Sequence, residues 1–262
     1  MNKPLILVAN DDGITAPGLK ALVEVAQQFG EVVVVAPDSP QSGMGHAITI
    51  HSPLRLKKSN LFGDIEAYEC TGTPVDCVKM GKYVVLENRT PDLVLSGINH
   101  GSNVAVNILY SGTMSAAMEG ALDGIPSIGF SLLDFTWGAD FSATQVYAEQ
   151  LVKNVLENGM IGGKLLNVNI PNLPLDEIKG MKVCRQANAR WREKFIKKQD
   201  PIGKNYYWMS GEFINYEPDE ETDVKALAEG YVSIVPSKFD LTDFDALKEA
   251  KWMEQTNLKK NS

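Results

Sequence analysis

The stretch LILVANDDGITAPGLKAL, residues 5–22, joins an apolar run to a helical pattern through two adjacent aspartates and a glycine. Residues 5–9 and the later run VVVVA at 32–36 are apolar without alternation, which is typical of strands buried on both faces of a parallel sheet. Between them, Pro17 suits the first turn of a helix, apolar residues recur at helical spacing, and Gly30 ends the pattern. The stretch therefore predicts a strand–helix–strand unit, a connection that is nearly always right-handed.

Strand and helix patterns continue to alternate after this unit. The order predicts an α/β fold with three layers, in which a doubly wound, mostly parallel Rossmann-like sheet lies between helices. We further predict strands at 47–56, 65–70, 91–98, 126–131 and 165–170. We also predict one helix that starts at Pro74, a second that starts after Gly112 and a third that covers 141–157.

The pattern changes after Pro171. Residues 181–217 contain two segments rich in aromatic and charged residues, separated by the turn-forming sequence DPIG at 200–203. We predict a catalytic core at 1–180, a protruding β-hairpin extension at 181–217 and a C-terminal segment at 218–262. Because an isolated hairpin is barely stable in water, this one either packs against a partner subunit as an assembly arm or folds back on its own core. The sequence leaves both arrangements open.

Composition and charge narrow the class of protein. The chain has 262 residues, of which 44% are hydrophobic, and a formal net charge of -8. That length supports one large core, and the acidic balance disfavours general affinity for nucleic acid polymers or anionic membranes while allowing small anionic substrates. No apolar stretch approaches the roughly 18 residues needed to cross a bilayer. We expect a cytoplasmic protein with neither a membrane nor a nucleic acid partner.

Polar residues follow three of the predicted parallel strands, at the edge where ligands bind in open α/β sheets. Asp11 and Asp12 follow the first strand, Ser42 lies in the loop after the second, and Asn99 ends the strand at 91–98. Neighbouring carboxylates repel each other more strongly beside an apolar sheet, so a cation is expected there. These oxygen ligands predict a hard divalent ion, Mg²⁺ or Mn²⁺, rather than zinc. Taken singly, each residue also suits a turn or a backbone hydrogen bond.

A second polar group precedes a helix rich in small residues. Ser111, Gly112 and Thr113 lie where unpaired backbone N–H groups and the positive end of the helix dipole attract anions. An ordinary helix cap explains Ser111 or Thr113 alone equally well. The glycine between two hydroxyls, close after Asn99, favours a phosphate site, and a metal beside a phosphate site indicates phosphoryl chemistry.

Two other families of phosphate-binding proteins are excluded by residue type. Dinucleotide-binding folds carry GxGxxG after the first strand, and NDDGITAPG at 10–18 lacks its paired glycines. Phosphatases of the haloacid dehalogenase class place a nucleophilic aspartate where this chain has Asn10, which is not a competent nucleophile.

A series of landmarks runs in order along nearly the whole chain. They are NDDGI-x-APG at 10–18, APD-x-x-x-SG at 36–43, GTP-x-DCV at 72–78, SGIN-x-G-x-N at 96–103, YSGT-x-x-AAMEG at 110–120, LNVNIP at 166–171, and GYVSIVP through DLTD at 230–243. In this combination the chain resembles the SurE family of metal-dependent 5'-nucleotidases.

The resemblance implies a set of roles for particular residues. It implies one divalent ion per subunit, Mg²⁺ or Mn²⁺, bound by Asp11, Asp12, Ser42 and Asn99. It implies that the substrate phosphate is held by Asn99, Ser111, Gly112 and Thr113. The implied reaction is hydrolysis of nucleoside 5'-monophosphates to nucleoside and phosphate, with 3'-monophosphates and short polyphosphate as further substrates. The implied assembly is a homodimer or homotetramer, built through the hairpin and exchanged C-terminal segments.

Asp12 is our first candidate for the catalytic group, either as a base toward water or by attacking phosphorus directly. Asn103 is expected to position the phosphate or the nucleophile. His46 and His100 lie near these loops but are left out of the catalytic set, because a lone histidine is more often a surface or packing residue. Two other functions stay open: a nucleotide- or metal-binding oligomer that acts in stress survival by binding alone, and an enzyme that passes phosphate to an acceptor other than water.

Overall fold

The structure is a computed structural model that describes residues 3–87, 89–160, 162 and 164–254. Residues 255–262 of the predicted C-terminal segment lie outside the described residues. The strands are β1 (Leu5–Ala9), β2 (Glu31–Pro37), β3 (Leu56–Ser59), β4 (Glu66–Cys70), β5 (Leu93–His100), β6 (Ser127–Leu132), β7 (Leu165–Ile170), β8 (Met181–Val183), β9 (Ala189–Gln199), β10 (Asn205–Asn215) and β11 (Val232–Ser237). The α-helices are α1 (Pro17–Ala26), α2 (Pro74–Met80), α3 (Gly112–Leu122), α4 (Ser142–Asn158), α5 (Asp223–Ala228) and α6 (Phe244–Glu249).

In the part of the chain that the structure describes, nine strands form the main sheet in the order β3-β4-β2-β1-β5-β6-β7-β11-β8. The pairs from β4 to β7 are all parallel, whereas β3 runs antiparallel to β4 and β11 runs antiparallel to β7. The chain winds outward in both directions from β1, so the strand order reverses between β1 and β5. The doubly wound, mostly parallel fold is confirmed, and its switch point places the ligand edge beside Asp11 and Asn99.

Helices cover both faces of the sheet. Ile6 and Val8 of β1 lie in an apolar cluster with residues of α1 and α4, and Leu7 lies in a second cluster with residues of α2 and α3. Successive side chains of a strand point to opposite faces, so burial on both faces explains why residues 5–9 are apolar without alternation. Within the described ranges, no helix combines the length and the apolar character that crossing a bilayer requires.

The strand predicted at 47–56 is wrong for most of its length. Residues 46–55 form no strand, and β3 begins only at Leu56. The backbone N–H of Thr49 is 3.1 Å from a carboxylate oxygen of Asp76, and the hydroxyl of Thr73 donates to the carbonyl of Ala47 at 2.7 Å. Side chains at the start of α2 therefore take the backbone hydrogen bonds that a neighbouring strand would otherwise supply.

The predicted hairpin is present but starts later than expected. β9 and β10 form a separate two-stranded antiparallel sheet in which Asn205 pairs with Gln199 and Asn215 with Ala189. Met181–Val183 belongs instead to the main sheet, beside β11. β11 pairs with β7 and β8 of the main sheet, and exchange of the C-terminal segment at 218–262 between subunits stays a prediction.

Candidate active site

Backbone hydrogen bonds join the loops in which the site was predicted. The N–H of Gln41 donates to the carbonyl of Asp11 at 2.7 Å, which attaches the loop after β2 to the end of β1. The N–H of Gly45 donates to the carbonyl of Tyr110 at 3.0 Å, which attaches the same loop to the residue before Ser111. Ser42 follows Gln41 directly and is exposed. The structure thus brings Ser42 and the start of α3 to the edge that carries the two aspartates.

Asp11 is buried against the start of α3. Its side chain accepts a hydrogen bond from the hydroxyl of Thr113, and a Cβ atom on Gly112 would come within 2.6 Å of the Asp11 Cβ. Burial raises the pKa of Asp11 from its ordinary value of 3.8 to about 6, while the hydrogen bond from Thr113 opposes the rise. A bound cation would restore the ionised form, so the burial of Asp11 fits a metal ligand.

Asp12 contacts the end of β5. Its Oδ2 accepts a hydrogen bond from the backbone N–H of His100 at 3.2 Å. Burial raises the pKa of Asp12 as well, and the bond from His100 opposes that rise. Gly13, at φ +97°, makes the turn after β1 that an L-residue rarely adopts. The two adjacent aspartates therefore contact α3, which carries the predicted phosphate site, and β5, which carries the predicted ligand Asn99.

The side-chain amide oxygen of Asn99 is the atom available to a cation. Its side-chain nitrogen donates to the carbonyl of Gly101 at 2.7 Å, so the amide nitrogen is already bonded to its own loop. Among the described residues, no group of three or more His, Cys, Asp or Glu side chains could hold a metal. A cation here would depend on two carboxylates and the neutral oxygens of Ser42 and Asn99, a donor set that fits Mg²⁺ or Mn²⁺.

Ser111 and Thr113 both have protein partners in this structure. Ser111 is the N-cap of α3, and its hydroxyl accepts a hydrogen bond from the N–H of Met114 at 3.0 Å. The hydroxyl of Thr113 is bonded to Asp11. Gly112 is the first residue of the helix, so its backbone N–H lies at the positive end of the dipole. Gly112 and Thr113 therefore lie against Asp11, and the contact of Asn99, Ser111, Gly112 and Thr113 with phosphate stays a prediction.

Asn103 belongs to a buried network of amide side chains. Its side-chain nitrogen donates to the hydroxyl of Ser131 at 2.8 Å, and its backbone N–H donates to Oδ1 of Asn169 at 2.7 Å. Asn169 donates to Asn167, whose side chain donates back to the carbonyl of Asn103. We did not predict that β7 supports Asn103. The signal was present in LNVNIP at 166–171, because Asn167 and Asn169 alternate and so lie on one face of a strand. The network fixes Asn103 at the site edge.

Known proteins resemble this chain in both sequence and fold. Residues 6–193 match the family model described as "Survival protein SurE". The chain belongs to the SurE family. The protein named 5'-nucleotidase SurE from Cytophaga hutchinsonii is 59% identical over 92% of this chain and 93% of its own length. The 5'-nucleotidase SurE from Christiangramia forsetii is 56% identical over 94% of this chain and 95% of its own length. The crystal structure of the SurE protein from Aquifex aeolicus has a TM-score of 0.83 at 44% identity, covering 96% of this chain and all of that one.

A further loop lies at the edge of the candidate site and was not predicted from the sequence. The ring of His100 stacks on Trp137 and meets Phe141 edge-on, while its Nδ1 lies 2.8 Å from the carbonyl of Thr136. The loop after β6, residues 133–141, therefore lies at the same edge as the loops after β1, β2 and β5. The aromatic residues in DFTW, directly after a predicted strand, were the signal that could have indicated it.

Proposed function

We propose that this chain is a metal-dependent nucleotidase that hydrolyses nucleoside 5'-monophosphates to nucleoside and phosphate. Alignment over more than nine tenths of its length with proteins named 5'-nucleotidase SurE places the chain among the phosphoric monoester hydrolases. The observation that carries the proposal is the burial of Asp11, only 4% exposed, against the start of α3. This contact joins a carboxylate that needs a cation to a helix end that attracts an anion.

The proposed metal is a single Mg²⁺ or Mn²⁺ ion held by Asp11, Asp12, Ser42 and Asn99. When bound, such an ion neutralises the charge that develops on the phosphoryl oxygens during hydrolysis. Burial disfavours the ionised form of Asp11 and Asp12 and raises their pKa values, and a bound cation would stabilise that ionised form.

The start of α3 is proposed to bind the substrate phosphate. The groups proposed to bind it are the backbone N–H of Gly112 and the side chains of Ser111, Thr113 and Asn99. Gly112 and Thr113 contact Asp11, Ser111 caps the same helix, and Asn99 lies on β5. Hydrogen-bond donors fixed before the reaction stabilise developing charge without reorganising. Asn103, fixed by its amide network, is proposed to orient the phosphate or the attacking water.

Asp12 is proposed to act on the nucleophile. The N–H of His100 holds Oδ2 at 3.2 Å, which leaves Oδ1 to accept a proton from water or to attack phosphorus.

The finer features of the proposal follow the family resemblance. They are activity on 3'-monophosphates and short polyphosphate, and a homodimer or homotetramer assembled through the hairpin and the C-terminal segment at 218–262. A cytoplasmic location without nucleic acid polymers or membranes as partners is proposed from composition and charge.

The test is release of phosphate from AMP and GMP with Mn²⁺, with Mg²⁺ and with a chelator. Wild type is expected to release phosphate only with a divalent ion, and Asp12→Asn to lower kcat by about 10²- to 10⁴-fold, as expected for loss of a general base. The matched control is Asp64→Asn, which changes an exposed carboxylate in the loop before β4. A wild-type protein inactive on every nucleotide would support the binding-only alternative. Formation of new phosphate esters in the presence of alcohols would indicate transfer to another acceptor.

A further inference from the structure

Two large aromatic side chains are exposed in the loop after β6. Phe135 is 80% exposed and Trp137 is 60% exposed. A single exposed apolar residue is ordinary, whereas two large rings from one short loop, packed on His100 and Gly101 at the ligand edge of an open sheet, indicate a binding surface. None of the roles proposed above uses them.

Trp137 is linked to the candidate active site through His100. The backbone N–H of His100 donates to Asp12, and the imidazole ring of the same residue stacks on the indole with ring centroids 5.5 Å apart and planes 10° apart. The carbonyl of Thr136 bonds Nδ1 of His100 at 2.8 Å, and Phe141 meets the imidazole edge-on. One face of the indole is therefore fixed against His100, and the high exposure of Trp137 means that its other face is open.

Phe135 is fixed in a similar way by Gly101, which follows β5 directly. A Cβ atom on Gly101 would lie 2.2 Å from Cε1 of Phe135, so the ring packs directly over a residue that only glycine suits. The carbonyl of Gly101 also accepts the side-chain hydrogen bond from Asn99. Each ring is thus anchored on residues 99–101 by one side and exposed on the other.

We propose that Trp137 and Phe135 form a platform on which the base of the nucleotide substrate stacks while its phosphate lies at the start of α3. The inference rests on the proposed function and adds the residues that recognise the base. Stacking on an aromatic ring accepts every base because each has a π-face, and it strengthens with ring area. The platform therefore predicts a preference for nucleotides over sugar phosphates, and for purines over pyrimidines, without selection of one base by hydrogen bonds.

The experiment compares a nucleotide with the same phosphate ester lacking a base. Steady-state kinetics with Mn²⁺ would be measured for AMP and ribose 5-phosphate in wild type, Trp137→Ala, Trp137→Phe and Phe135→Ala. We expect Trp137→Ala to lower kcat/KM for AMP by about 10-fold, mainly through KM, within the range for loss of one base stack. Its kcat/KM for ribose 5-phosphate should be unchanged, and Trp137→Phe should retain most of the AMP preference. Trp208→Ala on the hairpin is the control, because Trp208 is also exposed at 63% but lies far along β10.

The outcomes separate this inference from the proposed function. If Trp137→Ala lowers kcat/KM equally for AMP and ribose 5-phosphate, or does not lower it for AMP, the platform is overturned. The nucleotidase proposal would then still stand. If wild type hydrolyses neither substrate, the nucleotidase proposal fails, and calorimetric binding of AMP and ribose 5-phosphate then decides the platform alone. Light scattering on each variant completes the test, because a change of oligomeric state with Trp137→Ala would make the rings a subunit contact and overturn the inference.

Discussion

The hydroxyl of Thr113 donates a hydrogen bond to Oδ1 of Asp11, a residue 102 positions earlier in the chain. Both residues are buried, and the bond joins the first turn of α3 to the end of β1. The helix end and the hydroxyl both favour the ionised form of Asp11 before any cation binds. The proposed metal and phosphate sites are therefore one structural unit, in which a change on the helix alters the carboxylate.

Replacing Thr113 with valine removes this hydrogen bond while keeping the shape of the side chain. We expect Mn²⁺ affinity to fall by about 10- to 100-fold, as is typical when a residue that orients a metal ligand is lost. Titration calorimetry would measure the affinity. Thr113→Ser keeps the hydroxyl and is expected to bind Mn²⁺ nearly as wild type does. Equal affinity in Thr113→Val and Thr113→Ser would contradict the orienting role.

The raised pKa of Asp11 predicts how stability depends on pH without metal. The folded state keeps the Asp11 proton up to about pH 6, whereas an ordinary carboxyl loses it near 3.8. The free energy of unfolding should therefore decrease as pH rises from about 4 to about 6, by up to about 3 kcal/mol. Urea unfolding of chelator-treated protein would measure this decrease. Asp11→Asn should show a smaller decrease, and an identical pH dependence in the two proteins would refute the assignment.

Added Mn²⁺ should act in the opposite direction, because it binds the ionised carboxylate. The increase in thermal unfolding midpoint that Mn²⁺ produces is expected to grow as pH rises through 6. The comparison spans about one pH unit on either side of the Asp11 pKa. If Mn²⁺ raises the unfolding midpoint equally at about pH 5 and about pH 7, the ion is bound elsewhere.

Gly112 is expected to tolerate no side chain. In Gly112→Ala the new Cβ would lie 2.6 Å from Cβ of Asp11 and 3.0 Å from Cγ of Pro74. We expect a loss of about 1 to 3 kcal/mol in unfolding free energy, as for other overpacked sites, together with weaker Mn²⁺ binding. Gly138→Ala is the matched control, because its Cβ would meet no described heavy atom within 4 Å. If both variants unfold at the same urea concentration, α3 does not pack on Asp11 as described.

The hairpin is expected to mediate assembly through one of its faces. Phe195 pairs across the strands with Met209, and Trp191 pairs with Phe213, so these side chains share a face. Phe195 and Met209 are both exposed. Phe195→Asp should shift the protein toward monomers in light scattering after size-exclusion chromatography. Lys194→Asp, on the opposite face of the same strand, should leave the oligomeric state unchanged; a wild-type monomer would remove the hairpin's proposed role.

The sequence alone predicted the doubly wound sheet and the edge that carries the candidate site. Buried parallel strands require apolar residues on both faces, so residues 5–9 and 32–36 can be predicted as such strands from the local sequence alone. Because parallel strands end at a common edge, Asp11, Ser42 and Asn99 could be assigned to one site before any contact was known. The hairpin was predicted from its turn and its aromatic content, although its start was placed too early.

Only the tertiary structure decided which groups meet at that edge. The partner of Asp11 is Thr113, the backbone bonds of residues 47–49 go to α2 rather than to a strand, and Trp137 stacks on His100. Local patterns encode the type of element, because hydrophobic period and turn residues act over a few positions. Contacts between loops depend on how the elements pack against one another, so their side-chain partners follow from the packed fold and not from any single stretch of sequence.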